Sequence, residues 1–261
     1  MLMLLKDKTA IVSGVGPGLG KEIALAFARE GADVALGART ESYLEEVRGE
    51  IEALGRRAVH ARTDITDQDQ CDALVAAAIE AFGHLDVLAH NAFAPDVFQL
   101  FEDVDLGAWR QIMDVNLFGS LQLTKAALPA MKEQGSGSIV FVNSMIIRKV
   151  LPLQGGYATS KGALMTAAQV LAKELGPHGI RVNSIVPGWM WGPNVQGYFS
   201  MMESQTGKSV QEQYDEVASQ IALGEIPPDE DCANAAVFFA SDLSRVITGQ
   251  SLDVNGGEVF H

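Results

Sequence analysis

The chain has 261 residues, 48% of them apolar, and a mean hydropathy of +0.12, enough for a substantial buried core. Its 33 acidic and 19 basic side chains leave a net charge of −14, which argues against nonspecific nucleic-acid binding, since that depends on basic surface. No Lys/Arg cluster addresses an anionic membrane surface, and no apolar run approaches the ~18 residues of a membrane helix.

Cys71 and Cys232 lie far apart and in no ligand pattern, so neither a disulfide framework nor a metal site is expected. The apolar stretch 1–5 is too short for a signal segment and runs straight into Lys6-Asp7-Lys8. A reducing compartment follows, and a cytoplasmic location is the expectation.

Short β-rich runs alternate with longer helical patterns, which predicts an α/β fold with a parallel sheet covered on both faces. Thr9–Ser13 reads as the first strand, followed by a helix over 18–30 with Leu19, Ile23 and Phe27 on one side. Asp33–Ala38 is the second strand, with a helix over 40–54 and a third strand over 58–61. A helix over 67–82 has Asp67 as its N-cap, and 85–89 is the fourth strand. One long helix is predicted over 105–134, then a strand over 137–143, a helix over 157–175 and a strand over 180–186. A helix over 230–240 and a strand Ser251–Val254 complete the series. Without repeats or a low-complexity linker, 1–261 reads as a single domain.

The segment 187–226 stands outside this alternation. It carries Trp189, Met190, Trp191, Tyr198, Phe199, Met201 and Met202 among glycines and prolines. It reads either as core and subunit-contact surface or as a lid over an apolar substrate.

Gly14, Gly18 and Gly20 follow the first strand and open a helix. Such a turn lets backbone N–H groups approach a dinucleotide pyrophosphate at the positive end of the helix. The second strand ends in Gly37-Ala38-Arg39-Thr40, with no acid to bind the ribose hydroxyls of NAD(H). Arg39 suits a 2′-phosphate, so NADP(H) is favoured, with NAD(H) possible. Asp64 is either an acceptor for the adenine amino group or a turn-forming aspartate.

Tyr157 and Lys161 are four apart in a helical stretch and share a face one turn apart. An ammonium there is expected to pull the phenol down from about 10 toward the range of an acid–base catalyst. Ser144 lies thirteen residues before the tyrosine. Hydride addition to a carbonyl makes an alkoxide, and a hydroxyl donor plus an acid stabilise it.

Taken together, the chain resembles the classical short-chain dehydrogenase/reductase family over essentially its full length. The matching residues are Gly14-x-x-x-Gly18-x-Gly20, Asp64, Asn91-Ala92, Asn116, Ser144, Tyr157-x-x-x-Lys161, Asn183, Pro187-Gly188 and Asp253-x-Asn255-Gly256-Gly257. The resemblance implies a Rossmann-type doubly wound sheet of about seven strands in the order 3-2-1-4-5-6-7. It implies Tyr157 as general acid and base, and Lys161 as the group that lowers its pKa and holds the nicotinamide ribose. Ser144 would orient the substrate oxygen. Asn116 would shape the long helix and hold a water linking Lys161 to solvent. The cofactor set it implies adds Leu19, Ile65, Asn91, Ala92, Pro187, Gly188 and Met190 to the glycines, Arg39 and Asp64.

Several residues depart from the family pattern. Phe93 replaces a glycine, so it must point away or narrow the approach to the cofactor or substrate. His90 in the same motif reads as a packed strand-end histidine. Gly192 stands where a threonine often contacts the carboxamide, and Ser13 keeps the hydroxyl of a common threonine.

Met145, Ile146, Val150, Leu151, Leu153, Trp189 and Trp191 are expected near the catalytic motifs. They predict a bulky apolar alcohol or ketone: sterol-like, terpenoid or aryl. Arg148 and Lys149 lie in the same loop and either meet an acidic acyl-carrier tail or sit exposed without such a role. A 3-oxoacyl thioester reductase, a catalytically silent nucleotide sensor, and an isomerase or dehydratase without net redox are the competing readings. Small residues on the helices over 105–134 and 157–175, including Ala126, Ala127, Ala130, Ala163 and Ala167, fit close helix packing between subunits, and a homotetramer is expected.

Overall fold

The structure is a computed structural model that describes residues 3–260. Met1 and Leu2, part of the apolar 1–5 stretch, lie outside the described residues. Seven parallel strands form one sheet in the order β3-β2-β1-β4-β5-β6-β7. They are β1 (Thr9–Ser13), β2 (Asp33–Ala38), β3 (Ala58–Arg62), β4 (Val87–His90), β5 (Gly137–Val142), β6 (Ile180–Pro187) and β7 (Ser251–Val254). The chain order reverses between β1 and β4, and at that switch point the carboxyl ends of the strands open a crevice.

Strand side chains alternate between two cores, as the pleat requires. Val12, Leu36 and Val140 face one core, packed under α1 (Leu19–Arg29), α2 (Glu41–Ala53) and α9 (Asp229–Ala240). Ile11, Ala35, Ile139 and Phe141 face the other, under α3 (Gln68–Phe82), α5 (Ser120–Gln134) and α6 (Gly155–Leu175). Burial on both faces explains why the strands read as near-continuous apolar runs. Asp67 caps α3 by accepting from the Gln70 amide, as expected.

Two predicted elements differ. The helix over 105–134 is α4 (Leu106–Met113) and α5 joined by a π-helical turn, Asp114–Gly119. Asn116 turns inward there to bond backbone, and Gly119 lies against Ile65, where an added Cβ would meet the Ile65 side chain at 2.7 Å. Tertiary contacts thus widen a register that side-chain periodicity does not reveal. The segment 187–226 contains two helices, α7 (Pro193–Thr206) and α8 (Val210–Ala218), folded over a small core of Phe199, Ala218, Ile221 and Ile226. Pro193 starts α7, and a Ser209–Glu212 capping box starts α8. Among the described residues, no helix is long and apolar enough to cross a membrane.

Candidate active site

A cleft of about 580 Å³ runs along the switch point. Its floor at one end is the glycine turn. Gly14 has φ +77°, and a Cβ there would stand 2.2 Å from the Ala92 nitrogen. Gly18 has φ +108° and opens α1. Both conformations and the close approach of the β4 end require the missing side chain. The Asn91 side chain donates to the Gly14 carbonyl at 2.8 Å and ties the two turns together. Backbone N–H groups at the start of α1, a space closed to side chains and Arg39 at the end of β2 form a cradle that fits a dinucleotide.

Of the expected cofactor residues, Gly14, Leu19, Gly20, Arg39, Asp64, Ile65, Asn91, Ala92, Pro187, Gly188 and Met190 line this cleft, while Gly18 adjoins it. Asp64 already uses one oxygen within its own turn, accepting from the Thr66 amide at 3.0 Å and the Thr66 hydroxyl at 2.7 Å. Those bonds hold its carboxyl below the usual range, with Arg39 and Arg62 adding to the effect.

Ser144, Tyr157 and Lys161 meet at the middle of the cleft. Ser144 follows β5 and caps a 3₁₀ turn, Met145–Ile147, while its hydroxyl hydrogen-bonds the Tyr157 phenol. Lys161 is 3% exposed, and its Nζ donates to the Val142 carbonyl at 2.8 Å. It lies 5.7 Å from the Tyr157 ring centroid.

The electrostatics differ from the sequence expectation. Burial pushes the Tyr157 phenol up to about 12, opposed only by the Ser144 hydrogen bond. Burial also drops Lys161 to about 8. In the free chain desolvation therefore dominates the phenol, and the Lys161 ammonium is directed at the Val142 carbonyl.

Asn116 is fully buried. Its Oδ1 accepts from the Ala94 amide at 2.6 Å, and its Nδ2 donates to the Ala94 carbonyl at 3.1 Å and to Ser160 Oγ at 2.9 Å. Its side chain therefore holds the segment after β4 against α6, and no side-chain bond reaches Lys161. His90 is buried, stacked on Phe141 at 4.7 Å, with Nε2 2.9 Å from the Thr124 hydroxyl. Burial, with a smaller contribution from Lys161, drops it to about 3, so it stays neutral.

Phe93 does not point away. It lines the cleft, is 47% exposed, and meets the Tyr157 ring edge-on at 6.2 Å. Gly192 has a local cause: a Cβ there would stand 1.7 Å from Asp229 Oδ2, so the carboxyl fills the space a side chain would take.

The expected substrate residues Met145, Leu151, Leu153, Trp189 and Trp191 do not line the cleft. Trp189 and Trp191 pack on Phe199, and Trp191 also on Tyr214, because the small core under α7 and α8 needs their apolar surface. Val150 and Leu153 are exposed on the loop before α6. Arg148 and Lys149 are engaged within the chain. Arg148 bonds Ser251 at 2.8 Å and lies 3.5 Å from Asp253, and Lys149 pairs with Glu258 at 2.9 Å. Asn194 and Val195, at the start of α7, line the cleft without any sequence signal that marks them.

A family model described as enoyl-(acyl carrier protein) reductase matches residues 14–258. The chain is a classical short-chain dehydrogenase/reductase. Among curated members, it is 36% identical to an L-rhamnose 1-dehydrogenase (NAD(P)(+)) of Azotobacter vinelandii, over 98% of both chains. It is 35% identical to a 2,5-dichloro-2,5-cyclohexadiene-1,4-diol dehydrogenase of Sphingobium indicum, over 97% of this chain and 96% of that one. The solved L-sorbose reductase of Gluconobacter frateurii, complexed with NADPH and L-sorbose, superimposes with a TM-score of 0.94 over 100% of both chains, at 27% identity. This short-chain dehydrogenase/reductase is thus an oxidoreductase whose relatives act on alcohols and ketones of several kinds.

Proposed function

We propose that this oxidoreductase moves a hydride between a nicotinamide coenzyme and a secondary alcohol or ketone carried on a bulky, largely apolar ring. The observation that carries the reading is the placement of Phe93 edge-on to Tyr157, beside the Ser144–Tyr157–Lys161 cluster. A flat ring held against that phenylalanine brings its oxygen to the two hydroxyls. Phe98 and Phe101, on the same segment, also present exposed apolar side chains.

Bound in the cleft, the coenzyme supplies or accepts the hydride. The chain's own part is proton handling and orientation. Ser144 donates to the substrate oxygen and orients it. Tyr157 gives its proton to the oxygen as negative charge develops there, and takes it back in oxidation. A phenol held near 12 carries its proton at neutral pH in the free chain, the form that donates in reduction of a ketone. Lys161, near 8, supplies a positive charge beneath the tyrosine that responds to pH close to neutrality.

Arg39 at the cleft and the absence of an acid at the end of β2 support NADP(H) as the favoured carrier. The acyl-carrier alternative loses the two cations that would greet an acidic tail, since Arg148 and Lys149 are already engaged. The segment 187–226 is read as the cover of the substrate end, and the assembly as a homotetramer, which light scattering at working concentration checks.

The test is a parallel screen in which the ketones and the thioester are offered NADPH or NADH, and the diol and the sugar NADP+ or NAD+. The panel is acetophenone, cyclohexanone, a cyclohexanediol, L-rhamnose and an acetoacetyl thioester. Turnover highest on the aryl and carbocyclic compounds with the NADP(H) couple is expected. Turnover confined to the thioester or to the sugar defeats the reading.

A further inference from the structure

The first turn of α6 has a gap in its own capping. Gln154, at the N-cap position, offers no side-chain bond. The amide of Tyr157 is nonetheless satisfied, by a residue sixty-one positions away: it donates to Asp96 Oδ2 at 2.6 Å. The other oxygen of Asp96 accepts from the Val97 amide at 2.8 Å, and the residue is 7% exposed. A carboxylate at the N-terminus of a helix is favoured by the free N–H groups and by the helix dipole.

The other end of the Tyr157 peptide is held too. Ser160 Oγ donates to the Tyr157 carbonyl at 2.7 Å and accepts from Asn116 Nδ2 at 2.9 Å. Asn116 in turn makes its two bonds to Ala94, and Ala94 is joined through Pro95 to Asp96. These contacts close a ring: Asp96, Tyr157, Ser160, Asn116, Ala94 and back. The ring binds the segment that presents Phe93 to the helix that presents the phenol, so the two faces of the substrate site share one frame. Only one of its members reaches across from the Phe93 segment to the tyrosine's own amide.

We propose that Asp96 is a positioning residue: by holding the Tyr157 amide it fixes the depth of the phenol in the cleft and its register with the Phe93 segment. The proposal rests on the reading of Tyr157 as the acid–base group. Without the carboxylate, the first turn of α6, which contains Gly155 and Gly156, loses its fixed starting point. A displacement of about an ångström at the reacting group is enough to cost roughly a hundredfold in rate. The glycine turn and Arg39 lie elsewhere in the cleft, so coenzyme binding is expected to be spared.

The experiment compares the full-length wild type with Asp96→Ala and Asp96→Asn. Three quantities are read: hydrogen exchange of the peptide spanning 155–161 in the free chain, NADPH affinity by fluorescence titration, and kcat and KM with the best ketone of the panel. For Asp96→Ala we expect exchange at Tyr157 faster by about tenfold, since the amide loses its acceptor. In the same variant kcat falls by about 10- to 100-fold while the NADPH Kd stays within about twofold. Asp96→Asn keeps an acceptor oxygen and recovers to within about fivefold of wild type. Unchanged kcat in Asp96→Ala overturns the proposal. So does an equal loss in both variants accompanied by loss of NADPH binding, which marks a general structural role. A wild type that turns over no panel compound with either coenzyme defeats the proposed function itself. The exchange comparison then still decides whether Asp96 holds the tyrosine's peptide: unchanged exchange in Asp96→Ala overturns it.

Discussion

At the coenzyme end the cleft is walled by main chain: the turn at Gly14 and Gly18, the carbonyl held by Asn91, and the first amides of α1. At the other end it is lined by side chains on the segment after β4, which has no regular structure, and Phe93 stands exposed there beside Tyr157. The first end leaves no room for a side chain at Gly14 or Gly20, where a Cβ would stand 2.2 Å and 2.3 Å from backbone atoms. The second end can change its occupant by changing a side chain, with the sheet untouched. Relatives that act on rhamnose, on a chlorinated cyclohexadienediol and on sorbose fit that division, since one frame serves different substrate walls.

The sharpest way to break the comparison is at the junction of the two ends. Tyr157→Phe removes the proton donor and nothing else of size. A loss of kcat of about a thousandfold is expected, with NADPH affinity within about threefold of wild type. Single-turnover absorbance of NADPH alongside a binding titration measures both. Retained turnover would move the acid–base role to another group and leave the phenol as packing.

Arg39→Ala addresses the coenzyme end alone. It is expected to weaken NADPH by about tenfold, in keeping with loss of a charged phosphate contact, and to leave NADH nearly unchanged. Equal weakening of both coenzymes would mean that Arg39 serves the fold of the loop and carries no preference. Phe93→Gly addresses the substrate end alone. KM for acetophenone should rise about five- to tenfold, the scale of one aromatic contact, with little change for cyclohexanone and none in NADPH affinity. A tighter coenzyme Kd in that variant would put Phe93 over the coenzyme instead.

The same division governs what the sequence reveals. The inner strands of the sheet are legible because burial on both faces leaves nearly unbroken apolar runs, and the glycine turn because Gly14 and Gly18 have left-handed backbone and Gly14 meets the Ala92 backbone. Ser144, Tyr157 and Lys161 are legible as a set because their order and spacing match a family pattern, and the fold brings all three to the cleft. Asp96 is not: it acts across sixty-one residues on a backbone amide, and no side-chain type marks that partner. The π-helical turn at Asn116 differs from a regular helix by one step of hydrogen-bond register, which periodicity over a 30-residue stretch does not resolve. Helices α7 and α8 hide behind glycines and prolines, although the Ser209–Glu212 capping box signals the second of them. Trp189 and Trp191 read as substrate contacts on sequence proximity to the catalytic motifs, and the small core under those helices takes them instead.

The smallest expected effect lies behind the coenzyme end, at Asp229. Its carboxyl is buried between the start of α1 and Gly192, 3.2 Å from where a Cβ on Gly18 would stand. Burial raises it to about 6, with the negative charges of Glu230 and Glu22 adding to the effect. The folded chain therefore holds this proton over a pH range where the unfolded chain, near 3.8, has released it. Its stabilising share is complete below that lower value and is lost as pH rises through about 6. Asp229→Asn keeps the shape and removes the titration. The variant should gain in melting temperature over wild type as pH rises from about 4.5 to 7.5, by a few degrees at the upper end, with activity and NADPH affinity nearly preserved. A difference in melting temperature that stays flat across that range would show that the carboxyl is already ionised at the lower pH.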